Sequence, residues 1–279
     1  MSISLFLVVL LAAFLHASWN VLVKFTLDRF LAMFLLQTLM GFMGFAMLLL
    51  FAIPSVSSLP YALVSGALHT AYNLFLARSY KTGELGLVYP VARGTAPLLT
   101  LCAATVFARD PISVTAFFGI MILVAGIWLI AISPSLAAKV DRKTIAFALG
   151  TSVFIGLYTI VDGLGGRLSG SASGYTGFVF ILDGLFMLVT GLYLRGRRII
   201  SDVTPYWRSG VVGALASGSA YWIVIYAMSV APIAMVAALR ETSILFAIAM
   251  SSKFLKEPMT WQRVGGGVLV VAGAMALRA

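Results

Sequence analysis

Charge is scarce in this chain. Asp, Glu, Lys and Arg make up 10% of the 279 residues, while 61% are hydrophobic. A soluble domain carries roughly 25% charged residues to keep its surface wet, so a water-soluble globular protein is excluded. Cysteine is nearly absent. Cys102 stands alone, which rules out an intrachain disulfide and any cysteine-built zinc or iron–sulfur site. No P-loop pattern occurs, so ATP hydrolysis within the chain has no support. The two histidines, His16 and His69, lack the close spacing of a metal pair such as H-x-x-x-H. No basic segment precedes the first apolar run, as a cleavable signal peptide would require. With no catalytic constellation either, neither an enzyme nor a cofactor is expected.

What the chain does have is long apolar runs, and its mean hydropathy is +1.05. A transmembrane helix needs about 20 apolar residues to cross a hydrocarbon core of ~30 Å. The runs and their punctuation predict helices over Ile3–Val23, Phe30–Ile53, Tyr61–Tyr80, Leu85–Phe107, Ile112–Ile132, Ile145–Asp162, Tyr175–Leu194, Gly210–Ser229, Ile233–Leu255 and Trp261–Leu277. Breaks fall at prolines and at the Gly/Ser-rich stretch Gly163–Gly174, and the longer loops follow helices 5, 6 and 7. The class is therefore an all-α membrane protein of ten transmembrane helices.

An internal repeat organises these helices. Shifted by 147 positions, Phe107-Ala-Arg-Asp-Pro-Ile-Ser113 falls on Phe254-Leu-Lys-Glu-Pro-Met-Thr260. In the same register Arg93 meets Arg240, Thr95 meets Thr242, Gly119 meets Gly266 and Gly126 meets Gly273. The halves are residues 1–138 and 139–279. Five helices per half is an odd number, so the second half enters from the opposite face. That gives two inverted five-helix repeats, an arrangement many secondary transporters share.

A helix ending in an acidic residue and proline, then Ser or Thr, then a glycine-spaced helix, occurs twice. With the His16-Ala-Ser-Trp-Asn20 segment of helix 1, this pattern resembles the EamA family of the drug/metabolite transporter superfamily. A weaker resemblance is to EamA-type proteins associated with phosphonate use. The first repeat has Asp110 where the family pattern prefers Glu. The resemblance implies ten helices in two halves, a small-molecule substrate, and export as the commonest direction.

The net charge of +10 does not point to nucleic acid, because no aromatic-rich soluble platform accompanies the basic residues. Fourteen of the nineteen lie in loops 1–2, 3–4, 5–6, 7–8 and 9–10 or at the adjoining helix ends, among them Lys24, Lys81, Lys139, Arg197 and Arg263. Only Arg109, Arg167 and Arg278 lie on the other face. The positive-inside rule puts the richer face in the cytoplasm and both termini in the periplasm of a bacterial inner membrane.

Ionisable groups within membrane helices are costly, roughly 2.5–3.5 kcal/mol each on insertion scales, and mark candidate sites. Arg93 and Arg240 lead. They are repeat mates, each about 12 Å into its helix at 1.5 Å per residue, and they enter from opposite faces. Two planar donors of fixed charge suit a phosphate, phosphonate or carboxylate. The alternative is that each pairs with an internal acid and locks helices together. Asp183 on helix 7 is then the better partner, since Glu241 is adjacent to Arg240 in sequence. His16, Trp19 and Asn20 share helix 1, and His69, Tyr72 and Asn73 form a similar group on helix 3. Either histidine can carry a coupling proton or simply bond between helices. Tyr89, Tyr158, Trp222 and Tyr226 are aromatic candidates for a cavity wall or for the lipid boundary. Asp162 reads as a solvated helix end.

The function these features predict is secondary active transport of a small polar, anionic metabolite by alternating access, between helices 1, 3, 4 and their mates 6, 8, 9. The partners are that substrate, the lipid bilayer and a proton. Two rivals are a multidrug, amphiphilic-cation or amino-acid exporter using an intramembrane acid such as Asp183 or Glu241, and a membrane-embedded scramblase or enzyme.

Overall fold

Long apolar runs fold as helices because each then satisfies its own backbone hydrogen bonds. A computed structural model describes residues 1–23, 29–82, 85–131, 142–256 and 259–278, and every regular element among them is helical. In chain order these are α1 (Ile3–Val23), α2 (Arg29–Leu50), α3 (Leu59–Thr82), α4 (Leu85–Ala103, continued by a wider turn over Ala104–Ala108) and α5 (Val114–Ala131). Then come α6 (Arg142–Leu168), α7 (Ala172–Arg195), α8 (Trp207–Val230), α9 in two segments (Ile233–Arg240 and Ser243–Leu255) and α10 (Trp261–Arg278). A short helix, Arg198–Val203, leads into α8. Six of the elements, α1, α2, α6, α7, α8 with its lead-in and α9, are long and apolar enough to cross a membrane. The junction of the two halves, together with Lys24, Lys139 and the Glu257–Pro258 pair, lies outside the described residues.

The structure corrects two boundaries. α6 does not stop at Asp162 but runs to Leu168, leaving three residues before α7. The glycines there are packing positions rather than breakers. A Cβ on Gly163 would collide with Ile233, and one on Gly165 with the Tyr175 ring. The second correction is that α9 is not continuous. Around Glu241 its hydrogen bonds shorten to three-residue spacing, Glu241 N–H to Ala238 O at 3.0 Å and Thr242 N–H to Leu239 O at 3.1 Å. Such tightening commonly marks a strained or functional place in a helix.

Packing repeats the internal symmetry of the sequence. α3 packs on α6 as α8 packs on α1, and α4 packs on α6 as α9 packs on α1, while α5 meets its own counterpart α10. At that last contact a Cβ on Gly126 would lie 2.7 Å from Gly266 O, and one on Gly273 would lie 2.6 Å from Gly119 O. Glycine alone allows backbones this close. The pairing is crossed, with residue 119 against 273 and 126 against 266. This requires the two helices to run antiparallel about a local two-fold. The left-handed backbone sites agree: among the described residues only Arg109 (φ 51°) and Lys256 (φ 53°) are non-glycines at positive φ. They are repeat mates, each just before its acidic residue and proline.

Asp110 of the first motif serves as a clamp. It accepts both arms of Arg167 from the end of α6, at 2.6 and 3.0 Å, and the Ile233 N–H at the start of α9, at 2.6 Å. Arg167 also donates to Met228 O at 3.0 Å and Ala231 O at 2.8 Å. One carboxylate thus caps a helix and ties the α4–α5 connection to the second half of the chain.

Candidate functional site

Arg93 lies in the middle of α4 and Arg240 at the end of the first segment of α9, where the helix tightens. They are 5% and 4% exposed, and Glu241, 2% exposed, lies between them. Arg93 Nε donates to Glu241 Oε2 at 2.6 Å, and Arg240 Nη2 is 3.5 Å from Glu241 Oε1. Arg93 also donates through Nη1 to His16 Nε2 at 2.9 Å and through Nη2 to Ser243 Oγ at 3.1 Å. Two guanidinium groups converging on one carboxylate leave the cluster with one positive charge in excess. Arg240 Nε has no hydrogen-bond partner among the described residues.

A guanidinium can only donate, so His16 Nε2 accepts and carries no proton in this arrangement. The remaining ring proton of the neutral imidazole is then on Nδ1. Trp19 Nε1, 3.4 Å from that nitrogen, is therefore in polar contact without a hydrogen bond. His69 bonds through Nδ1 with Ser65 O at 3.0 Å, stacks on Tyr158 with centroids 4.0 Å apart, and meets Tyr221 edge-on at 5.2 Å.

Both arginines, both histidines, Trp19, Tyr158 and Tyr221 line one cavity with about 600 Å³ of non-atom space, its open part included, with Glu241 and Ser243 behind the arginines. The lining comes from α1 (His16, Trp19), α2 (Gln37), α3 (His69, Tyr72, Asn73), α4 (Arg93), α6 (Tyr158), α7 (Asp183), α8 (Ser217, Tyr221) and α9 (Arg240). The set expected from helices 1, 3, 4, 6, 8 and 9 is joined by α2 and α7. Neither α5 nor α10 contributes.

Several expectations are corrected. Asp183 is not the acid that pairs with the arginines. It forms no ion pair among the described residues, and Glu241 takes that place because the tightened turn brings its carboxylate between the two guanidiniums. Asn20 bonds back to His16 O at 2.8 Å and does not line the cavity. Trp222 turns to Ser173 Oγ, at 2.9 Å, and to the Phe51 ring, while Tyr226 is exposed. Asp162 is not a solvated helix end. It is fully buried and accepts from Tyr175 at 3.0 Å and Tyr221 at 2.5 Å. Tyr89 belongs to α4, and its side chain lies outside the described residues. Sequence reading missed Gln37, Ser243 and Tyr221. Gln37 carried a signal, being a lone amide in an apolar run, where polar groups are expensive.

The family model of the EamA-like transporters matches residues 3–132 and 142–279, nearly the whole chain and once per half. The chain belongs to the EamA-like transporter family. As a family member it is a multi-pass membrane protein that handles a small molecule within lipid. A solved structure titled "Crystal structure of protein" superposes with a TM-score of 0.77 at 15% identity, covering 99% of this chain and 96% of that one. At that identity the likeness is one of fold. No curated protein matches.

Proposed function

We propose that this protein is a secondary active transporter of a small polar anion bearing a phosphonate, phosphate or carboxylate group. Ten membrane-crossing helices in two inverted halves, residues 1–138 and 139–279, rock about the central cavity and expose it to each side in turn. The observation that carries this reading is the convergence of Arg93 and Arg240, one from each half, on the single carboxylate of Glu241. The two arginines share the one carboxylate of Glu241 and line a polar cavity. A buried charge left in excess is costly, and an anionic ligand removes that cost. A planar guanidinium with fixed charge binds such groups by two parallel hydrogen bonds.

In this reading Glu241 is a resident stand-in for the ligand's anionic group, exchanging places with it. His16 gives a route to proton coupling. Its Nε2 accepts from Arg93, so a proton there and the Arg93 bond exclude each other. Protonating His16 releases one guanidinium arm toward the cargo, and His69 on the facing helix is the second titratable group. The bacterial inner membrane, with both termini periplasmic, is the setting the loop charges favour.

The test is equilibrium binding of ethylphosphonate, ethyl phosphate and propanoate to purified Arg93→Lys and Arg240→Lys variants. Losing one charge-assisted contact costs ~1.5–3 kcal/mol, roughly ten- to hundredfold in affinity. Lysine cannot reproduce the two-pronged contact, so both variants should bind more weakly. Undiminished affinity in both would sink the anion site.

A further inference from the structure

The cavity has a second polar wall that the anion reading does not use. Gln37 Oε1 on α2, Asn73 Oδ1 and Nδ2 on α3, and Asp183 Oδ1 on α7 are buried with no hydrogen-bond partner among the described residues. All three side chains line the cavity and are 7%, 0% and 3% exposed. Close backbone packing holds their helices together. A Cβ on Gly184 would sit 2.8 Å from Gln37 O, and one on Gly66 would sit 3.2 Å from Asp183 N.

Buried polar groups are nearly always paired, and an orphan carboxylate is the most costly kind. Here four orphan atoms share one wall, and three of them are acceptors. No arginine or lysine forms an ion pair with Asp183 among the described residues. The arginine pair comes from α4 and α9, whereas this wall comes from α2, α3 and α7. The arginines and the Glu241 carboxylate they share thus come from one set of helices, and the unpaired side-chain oxygens from another. The aromatic ring of Tyr72 also lines this cavity, and ring faces attract cations.

We infer that Gln37, Asn73 and Asp183 form a subsite for a monovalent cationic centre, separate from the arginine pair. The inference rests on the proposed anion site only for its neighbour. The cation is either an ammonium group on the cargo itself or an inorganic monovalent ion taken up beside it. Three oxygens with one carboxylate suit a single positive charge and do not supply the ligand charge typical of a divalent site.

The experiment is calorimetric titration of purified full-length protein with three pairs of compounds that differ only by an amine. They are ethylphosphonate and 2-aminoethylphosphonate, ethyl phosphate and O-phosphoethanolamine, and propanoate and 3-aminopropanoate. Each is measured in sodium chloride and in N-methylglucamine chloride. If the cation belongs to the cargo, the amine raises affinity at least roughly tenfold, the worth of one charged hydrogen bond. If it is a separate ion, sodium raises the affinity of the amine-free anions instead. In either case Asp183→Asn removes the gain and does not weaken binding of the amine-free anions in N-methylglucamine, since it takes a like charge out of the same cavity. Gln37→Met serves as the second variant, should Asp183→Asn not fold. The inference is overturned if neither amine nor sodium changes affinity, or if the gain survives both substitutions. Should no anion bind at all, the anion reading fails by itself. Ethylamine and sodium titrated alone then decide the subsite: binding lost in Asp183→Asn keeps it, and no binding removes it.

Discussion

Replacing Glu241 by Gln separates a ligand-exchange site from a structural lock. Glu241 is the only acid among the described residues in ion-pair contact with Arg93 or Arg240, at 2.6 and 3.5 Å, with side-chain exposures of 6%, 5% and 2% for Arg93, Arg240 and Glu241. Breaking a buried pair by removing one partner costs ~3–5 kcal/mol. Glutamine keeps one acceptor oxygen, so the lower end, about 3 kcal/mol, is the expected loss. For a chain of this size that corresponds to a fall in Tm of about 6 °C. The informative quantity is the response to an anion. A ligand at a hundred times its Kd stabilises by about 2.7 kcal/mol, nearly the whole deficit. In Glu241→Gln the ligand no longer competes with a resident carboxylate, so its affinity rises above that of the unsubstituted protein. The assay is thermal unfolding of purified protein over a concentration series of ethylphosphonate. A lowered Tm with no larger anion response would refute the exchange mechanism and leave Glu241 a lock between α4 and α9. An unchanged Tm would refute the energetic argument itself.

Three further outcomes are expected. His16→Gln and His69→Gln should flatten the pH dependence of transport while binding stays measurable; an unaltered profile in both removes the histidines from the proton path. A cysteine at Ala279 in a Cys102→Ser background should react with an impermeant thiol reagent added outside intact cells, and labelling only after the inner membrane is opened would reverse the orientation. Gly126→Ala should cost about 1–3 kcal/mol by overpacking, because its Cβ would meet Gly266 O at 2.7 Å and Val270 N at 2.8 Å, both backbone. Gly265→Ala, whose Cβ would meet only Leu129 Cδ2 at 3.7 Å, is the silent control, and equal melting temperatures would contradict the backbone-contact account.

The fold was legible where the sequence repeats itself. Gly119, Gly126, Gly266 and Gly273 recur in one register and meet at one interface, because α5 and α10 are the repeat mates that lie side by side about the local two-fold. The α6 end was misread because Gly163, Gly165 and Gly166 look like turn residues until Ile233, Tyr175 and Ile225 occupy the space that the missing side chains leave. Glu241 was passed over as a neighbour for Arg240 on the assumption of regular helix geometry. The three-residue hydrogen bonds that break the assumption depend on tertiary packing and leave no local mark in Leu239-Arg240-Glu241-Thr242. Asp183 is visible as an acid in an apolar run, whereas Asp162 reads as a helix end. Whether such an acid finds tyrosine hydroxyls, an arginine or nothing depends on which helices face it, and this periodicity does not encode.

The clamp around Asp110 also bears on timing. Parting the α4–α5 connection from the end of α6 and the start of α9 requires the three hydrogen bonds of Asp110 to yield together, two of them from Arg167. Charge-assisted bonds are worth ~1.5–3 kcal/mol each, and every ~1.4 kcal/mol not restored at the barrier slows the step tenfold. Water can restore part of this, because the Arg167 side chain is 27% exposed, while Asp110 at 6% must first be uncovered. On the proposed alternating-access reading, the more exposed Arg167 is expected to hydrate before Asp110 is released and the first turn of α9 loses its cap. Neither clamp residue lines the cavity, so on that reading turnover and selectivity can be tuned by separate residues.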